Sequence, residues 1–191
     1  IYDPAAQPVD LGGSIYLERW YNISGDGPDD LISGTNNFGD PPDETEWRTS
    51  FQTPRDVGSD FGQRMRGYVL PDEDGEYQFY AAHDDGCRLF LSTNADPANK
   101  VQIYNDNNYG GGYTNWITAG KPVTLTAGGT YYVECIMKES GGGDYARIGW
   151  KTPSGAYERP IEGAHLAPFV SQGGTPLKDA GDGSYYFDWN T

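Results

Sequence analysis

The stretch GEYQFYAAHDDGCRLFLS, residues 75–92, predicts two short β-strands joined by a tight turn. Aromatic and small apolar residues fill Glu76 to His83 and Cys87 to Ser92, in the short runs that are typical of strands. Between them, Asp84-Asp85-Gly86 has the residue types that favour turns. This pair of strands is the clearest indication of β structure in the chain.

The same pattern of short strands and turns recurs in both directions along the chain. Further strands are predicted over 13–20, 47–51, 66–70, 101–104, 122–126, 130–139, 144–151 and 165–169. The intervening sequence is rich in Gly (27 residues) and Pro (13 residues), and no long stretch has a helical apolar period. We therefore predict an all-β fold, an antiparallel β-sandwich with long Gly/Asp-rich loops, most of them between residues 24 and 63.

The 191 residues are enough for one sizeable domain. We expect a linker over 1–10, the sandwich over 11–170, and a tail or the start of another linker over 171–191, whose YYFDW ending could add an edge strand. The chain starts at Ile1, and no apolar run approaches the ~18 residues of a membrane span. We expect a piece of a longer secreted or cell-surface protein, with other domains of that chain as partners.

The charge balance restricts the classes of partner. Asp and Glu total 28 against 13 Lys and Arg, a formal net charge of -15. Such a surface repels phosphate backbones and anionic lipids, which argues against nucleic acid and membrane insertion. Acidity suits divalent cations and an extracellular protein, but it also serves solubility alone. Cys87 and Cys135 lie at strand-like positions, where a disulfide and two buried thiols are both consistent with the sequence.

Two loops contain groups that could bind a cation. Asp84 and Asp85 are adjacent carboxylates whose mutual repulsion a cation such as Ca²⁺ would remove. The second loop, 139–144, has three glycines that let backbone carbonyls approach closely, followed by the carboxylate of Asp144. Read alone, the first loop is equally an exposed turn that tolerates two charges, and the second a flexible hairpin loop.

The runs GEYQFYAAHDDGCRLFLS and LTAGGTYYVECIMKESGGGDYARIGW together resemble the protective-antigen-type domain, also called the PA fourteen domain. The segments YLERWYNISGDG near the start and WKTPSGAYERPIEGAHLAPF near the end fit the same family, so the resemblance covers roughly residues 11–170. It is closest to extracellular bacterial variants, in which the strand after the Asp-Asp loop runs into ST and DPANK, here Ser92-Thr93 and 96–100.

The resemblance implies a β-sandwich in which two neighbouring loops bind calcium. In sugar-binding members the Asp-Asp pair is joined by a cis peptide and both carboxylates are ligands, which places these roles on Asp84 and Asp85. The second loop implies Asp144 as a side-chain ligand, with backbone carbonyls from Gly142 and Gly143. Yeast members have Asn at the position of Asp144, so an Asp there adds negative charge. The implied function is calcium-dependent binding of a polysaccharide or other glycan.

The segment 105–116 follows the first calcium loop and supplies candidate sugar contacts. Aromatic rings could stack on a sugar face, and amides could bind its hydroxyls. These candidates are Asn107, Asn108, Tyr109, Tyr113 and Trp116. Trp116 could instead pack in the core, and His83 could either border the site or cap its turn.

Catalysis is not expected. Adjacent aspartates do not provide two carboxylates facing each other across a substrate, typically ~5–10 Å apart, as glycoside hydrolysis requires. His83 and His165 lack zinc-ligand spacing, and no nucleophile-elbow or phosphate-loop motif stands in a convincing strand–helix context. The alternative to a lectin-like module is a structural or protein-interaction module that calcium only stabilises.

Overall fold

The computed structural model describes residues 13–32 and 41–169, together with the backbone of 177–179 and 185–187. Thirteen strands and one short α-helix, α1 (Pro28–Ile32), form the described part of the chain. The strands are β1 (Ile15–Tyr21), β2 (Glu44–Arg48), β3 (Phe61–Val69), β4 (Gly75–Asp84), β5 (Gly86–Ser92), β6 (Lys100–Asp106), β7 (Ile117–Leu125), β8 (Tyr131–Glu139), β9 (Tyr145–Lys151), β10 (Tyr157–Glu158), β11 (Leu166–Pro168), β12 (Leu177–Asp179) and β13 (Tyr185–Phe187).

Two antiparallel sheets make up the body of the molecule. The large sheet has the order β2-β1-β3-β8-β5-β6, and β11 pairs with the end of β3 that β1 leaves free. The small sheet has the order β10-β9-β4-β7. The prediction of an all-β antiparallel sandwich is therefore confirmed.

Period-two alternation places the core between the two sheets. In β4, Tyr77, Phe79 and Ala81 are buried, while their neighbours Gln78 and Tyr80 are half-buried on the other face. The inward side chains of both sheets form one contiguous apolar cluster. Burial of this cluster is the main stabilisation of the sandwich.

The chain crosses from the small sheet to the large sheet at one residue. The strand β4 ends at Asp84 and β5 begins at Gly86, so Asp85 alone connects them. At the same end of the sandwich, β8 ends at Glu139 and β9 begins at Tyr145 after a second crossing. The two crossings bring the two predicted calcium loops to the same end of the sandwich.

Helix α1 packs on the outer face of the large sheet. Leu31 joins Trp20, Ile23 and Ile136 in a second, smaller apolar cluster. The close approach depends on Gly86, because a Cβ there would lie 2.5 Å from Cδ of Pro28. The sequence predicted only loops here, since five helical residues are too short to establish a period.

Several predicted boundaries were wrong. The strand β3 begins at Phe61 rather than at residue 66, β2 covers 44–48 rather than 47–51, and β7 begins at Ile117 rather than at residue 122. The segment 185–187 pairs with 177–179 in a separate two-stranded sheet, not with an edge of the sandwich. The predicted linker 1–10 lies outside the described residues, and the domain limits stay predictions.

The two cysteines lie next to each other inside the core as free thiols. The Sγ atoms of Cys87 and Cys135 are 3.6 Å apart, and both residues are buried. The hydrogen bond with Cys87 and burial raise the pKa of the Cys135 thiol. Of the two alternatives that the sequence left open, the structure shows buried thiols.

In the part of the chain that is described, no helix is long and apolar enough to cross a membrane.

Candidate functional site

The Asp-Asp turn between the two sheets has the geometry that the family resemblance implies. The Asp84–Asp85 peptide bond is cis. His83, which precedes it, is fully buried, and its ring nitrogens contact the carbonyl oxygen of Asp85 at 2.6 Å and the hydroxyl of Tyr104 at 2.8 Å. His83 therefore supports the turn from inside, as the capping alternative requires.

Three carboxylates converge at this end of the sandwich. One ligand oxygen from each of Asp84, Asp85 and Glu139 lies within 4.8 Å of the other two. We call this group the carboxylate cluster. Glu139 is the last residue of β8 and has no exposed surface, whereas both aspartates are half-buried.

In the absence of a cation, the pKa values of two members of the carboxylate cluster are raised. Burial and the charge of Asp85 raise the pKa of Asp84 to about 6. Burial and the charges of Asp85, Asp144 and Asp84 raise the pKa of Glu139 to about 7. Like charges at short range disfavour ionisation of their neighbours, and a divalent cation would reverse that effect.

The glycine-rich loop, residues 139–144, packs against the Asp-Asp turn. Both the backbone N–H and the hydroxyl of Ser140 donate to Oδ2 of Asp85, at 3.1 and 2.7 Å. A Cβ on Gly143 would lie 3.3 Å from Oδ2 of Asp84, and Gly142 is exposed with a φ of 114°. The two predicted calcium loops are thus in contact.

Asp144 lies at the end of this loop but outside the group of three converging carboxylates. It is fully buried, and its Oδ2 accepts a hydrogen bond of 3.0 Å from the N–H of Gly58. Its Oδ1 is buried without a partner among the described residues. Burial raises the pKa of Asp144, so this carboxylate also resists ionisation in the metal-free protein.

The donor set fits a hard divalent cation. Both carboxylate oxygens of Glu139 and Oδ1 of Asp144 are buried without hydrogen-bond partners in the described structure. No Lys or Arg of the described ranges lies within 4.0 Å of the carboxylates at Asp84, Asp85, Glu139 or Asp144. Buried carboxylates without partners are costly, and oxygen-rich sites of this kind are what Ca²⁺ prefers.

The segment between β6 and β7 lies next to the carboxylate cluster. The N–H of Gly110 donates to the carbonyl of His83, and the hydroxyl of Tyr145 donates to the carbonyl of Gly111. Tyr145 is itself the register partner of Asp84. These contacts place the loop that contains Asn107, Asn108 and Tyr109 beside the Asp-Asp turn.

The predicted sugar-contact residues differ in exposure. Tyr109 is 58 % exposed, and Asn107 and Asn108 are also exposed, although the amide of Asn108 donates to Asp106. Tyr113 and Trp116 are half-buried and both contact the guanidinium of Arg147. Trp116 does not belong to the core, so the alternative that it packs there was wrong.

Sequence reasoning missed two contributors. Glu139 lies at the start of the quoted glycine-rich loop but was not assigned as a ligand, and Ser140 was not assigned any role. The available signal was the position of a carboxylate at the end of an apolar strand, directly before three glycines. Their contacts with the aspartates depend on the crossing of β8 over to β9, which spacing alone does not predict.

Comparisons with known proteins find similarity in sequence to a mouse enzyme and similarity in structure to several solved domains. The chain is 28 % identical over 125 residues to N-acetyl-beta-glucosaminyl-glycoprotein 4-beta-N-acetylgalactosaminyltransferase 1 of Mus musculus. The match covers 59 % of this chain but only 12 % of the mouse protein, so most of that enzyme has no counterpart here.

Solved structures share the fold at low sequence identity. A PA14 sugar-binding domain from an RTX adhesin matches with a TM-score of 0.60 and 19 % identity, covering 82 % of this chain and 99 % of the other. The Epithelial Adhesin 9 A domain from Candida glabrata, solved in complex with Galb1-4GlcNAc, has a TM-score of 0.57 and 12 % identity, covering 84 % of this chain and 91 % of the other.

The family model described as the PA14 domain matches residues 16–164. The match includes both sheets of the sandwich, the Asp-Asp turn and the glycine-rich loop. The chain therefore belongs to the PA14 domain family.

Proposed function

We propose that this domain is a non-catalytic, calcium-dependent glycan-binding module of a secreted or cell-surface protein. The observation that carries the proposal is the carboxylate cluster, with buried oxygens that have no partner among the described residues. Structural relatives described as a sugar-binding domain and as an adhesin in complex with a galactoside support the glycan part.

The residues that would hold the ion are Asp84, Asp85 and Glu139, with Asp144 and the carbonyls of Gly142 and Gly143 as further candidates. A bound Ca²⁺ supplies positive charge and coordination positions that hydroxyl oxygens of a sugar can fill. The half-buried position of the two aspartates leaves the cluster accessible from solvent.

The residues around the ion would determine which glycan binds. Tyr109 is exposed beside the Asp-Asp turn, and Asn107 and Asn108 present amides next to it. Aromatic rings and amides are the groups that proteins use to orient polar ligands. We propose these three residues as contacts for the sugar nearest the ion.

Glycan binding with and without calcium tests the proposal. Two samples of the domain are titrated with Galβ1-4GlcNAc and with a panel of other oligosaccharides. One sample is treated with chelator and the other is loaded with calcium. Asp84→Asn is the test variant, and Glu162→Gln, which removes an exposed carboxylate that makes no side-chain cap hydrogen bond, is its control.

The proposal predicts glycan binding only in the calcium-loaded wild type and in calcium-loaded Glu162→Gln. Equal binding by Asp84→Asn would contradict it. Calcium binding without a response to any glycan would instead favour the structural module, in which the ion only stabilises the two loops.

A further inference from the structure

A row of cationic and aromatic side chains crosses the outer face of the small sheet. It contains four cations and four rings in mutual contact, and we call it the arginine–aromatic face. Its members are Arg55, Tyr113, Arg147, Trp116, Arg159, Tyr80, Tyr157 and Lys151.

Each of the two central guanidinium groups lies against two rings. The Cζ of Arg147 is 4.1 Å from the ring centre of Tyr113 and 4.8 Å from that of Trp116. The Cζ of Arg159 is 3.7 Å from the ring centre of Tyr80 and 4.1 Å from that of Tyr157. Such contacts fix a guanidinium in place but do not satisfy its N–H donors. Arg147 donates from Nε to Gln52 and from Nη1 to the carbonyl of Tyr113, and its remaining N–H groups, without a partner among the described residues, are left for a ligand.

Three of the four cations of this face have no ion pair among the described residues, whereas Arg55 pairs with Asp56 at 3.2 Å. In the described ranges, no carboxylate lies within 4.0 Å of Arg147, Arg159 or Lys151, and Nε of Arg159 is buried without a hydrogen-bond partner. On the large sheet, by contrast, salt bridges engage Arg19, Arg48, Arg64, Arg66, Arg88 and Lys100.

This arrangement is unexpected in a chain with 28 acidic and 13 basic residues. The neighbouring Glu158 is already engaged, because it accepts from Nε1 of Trp150 at 2.6 Å and contacts the ring of His165. Unpaired cations in such an acidic protein indicate a complementary anion that the chain itself does not supply.

The arginine–aromatic face is continuous with the carboxylate cluster. Asp84 pairs with Tyr145 across β4 and β9. Every second pair beyond it lies on the same face of the sheet. These pairs are Ala82 with Arg147, Tyr80 with Gly149, and Gln78 with Lys151. Arg159 lies over Gly149, where a Cβ would be 2.7 Å from its Cγ. The six residue steps from Asp84 to Gln78 span about 20 Å, enough for several sugar units in an extended chain.

The far end of this face opens into a depression. Glu76, Gln78, Lys151 and Pro153 are among the residues that line it, and its volume is about 400 Å³. Tyr157, which contacts both Arg159 and Lys151, is 57 % exposed beside it. A ligand that follows the face therefore meets half-buried and exposed aromatic and cationic groups, with the carboxylate of Glu76 at the far end beside Lys151.

We propose that the arginine–aromatic face binds an acidic glycan, whose carboxylate or sulfate groups pair with Arg147, Arg159 and Lys151. The inference rests on the proposed glycan-binding function and names its ligand class. Guanidinium groups bind planar oxyanions through two parallel hydrogen bonds, and aromatic rings suit the apolar faces of sugars. The net charge of -15 opposes a polyanion at long range, so the attraction must come from these local contacts.

Matched oligosaccharides test the ligand class. Tetragalacturonate carries carboxylates, a chondroitin sulfate tetrasaccharide also carries sulfates, and galactotetraose is the neutral counterpart of the first. Binding of each is measured by calorimetry in the presence of calcium. The test variants are Arg159→Gln and Lys151→Gln. Arg88→Gln on the large sheet removes the same charge from a guanidinium that is already paired with Asp29.

We expect both test variants to bind at least one acidic tetrasaccharide about tenfold more weakly, while affinity for galactotetraose changes less than twofold. Arg88→Gln should behave like the wild type. Preference for the first or second acidic probe distinguishes a uronate from a sulfate ligand.

Other outcomes would overturn the inference. If acidic and neutral tetrasaccharides bind equally, or if the test variants leave the acidic preference unchanged, the face has no such role although the calcium-dependent function stands. Equally tight binding of a poly-glutamate peptide would contradict selectivity for glycans.

The proposed function can fail separately. Acidic glycan binding that persists in Asp84→Asn without calcium would contradict the proposed function and leave the ligand class of this face intact.

Discussion

At the scale of single residues, the carboxylate cluster combines groups that repel one another. Glu139 is completely buried and both of its carboxylate oxygens lack hydrogen-bond partners among the described residues, while Asp84 and Asp85 lie next to it. The aspartates could be predicted as ligands from their sequence and the family resemblance. Glu139 could not, because its role depends on which strand end the fold brings beside the turn.

Replacing Glu139 with Gln should weaken calcium binding at least tenfold, because ligand charge is a main determinant of affinity at oxygen sites. Above pH 7 the same change should raise the melting temperature of the calcium-free domain, because Glu139, with a pKa of about 7, then carries a buried charge that Gln lacks. Calcium titration and calorimetric melting measure the two effects. Glu76→Gln, on an exposed position, should change neither, and an unchanged calcium affinity in Glu139→Gln would exclude this residue as a ligand.

The raised pKa values predict how the stability of the calcium-free domain depends on pH. Asp84 and Glu139 have pKa values of about 6 and about 7 in the folded protein, above the ordinary 3.8 and 4.5. Between about pH 4 and pH 7 the folded state therefore binds more protons than the unfolded state, so these groups make the free energy of unfolding fall as pH rises.

Denaturant melts of the chelator-treated domain at pH 5 and pH 7.5 measure this dependence. We expect the free energy of unfolding to change less between these two pH values in the Asp84→Asn/Glu139→Gln double variant, because it lacks both carboxyl groups. If the free energy of unfolding changes equally with pH in the wild type and in the double variant, the carboxylate cluster does not titrate in this range.

At the scale of elements, the site depends on two crossings between the sheets and on a loop that packs against them. The strands around the Asp-Asp turn were predicted well, because β4, β5, β8 and β9 have compact aromatic and apolar runs. The start of β3 was missed because Gly62, Gln63 and Arg64 are not typical of a strand. Gly62 is required instead by the approach of Leu31, a contact that local sequence does not indicate.

The loop between β6 and β7 offers a matched pair of glycines. A Cβ on Gly110 would lie 2.7 Å from the buried ring of His83, whereas a Cβ on Gly112 would have no neighbour within 4 Å. Gly110→Ala should lower stability by about 1–3 kcal/mol through overpacking and weaken glycan binding. Gly112→Ala should be nearly neutral in both respects. Thermal melts and glycan titrations of the two variants distinguish these outcomes, and equal behaviour would contradict the packing described for this loop.

At the scale of the whole molecule, the sandwich places different chemistry on different surfaces. The large sheet has most of its cations in ion pairs, and a short helix lies on its outer face. The small sheet carries the arginine–aromatic face, which ends at the carboxylate cluster. The alternation of apolar residues and the turn residues were enough to predict the overall fold. They did not predict which side chains share a surface, because that depends on the register between strands that are distant in sequence.

The interior should be inert towards thiol reagents. Cys87 and Cys135 are buried, and burial together with their mutual contact raises the pKa of Cys135, which disfavours the reactive thiolate. An aromatic disulfide reagent should therefore label neither thiol in the folded protein and both in denaturant. Absence of labelling in denaturant without reductant would indicate a disulfide and contradict the free thiols of this structure.

The central claim is that the carboxylate cluster binds calcium, and calorimetric titration of the chelator-treated domain with Ca²⁺ tests it most directly. We predict saturable binding with a single ion at the cluster in the wild type and in Glu76→Gln, and loss of that binding in Asp84→Asn. A titration without binding heat in the wild type, or with the same affinity in Asp84→Asn, would contradict the account.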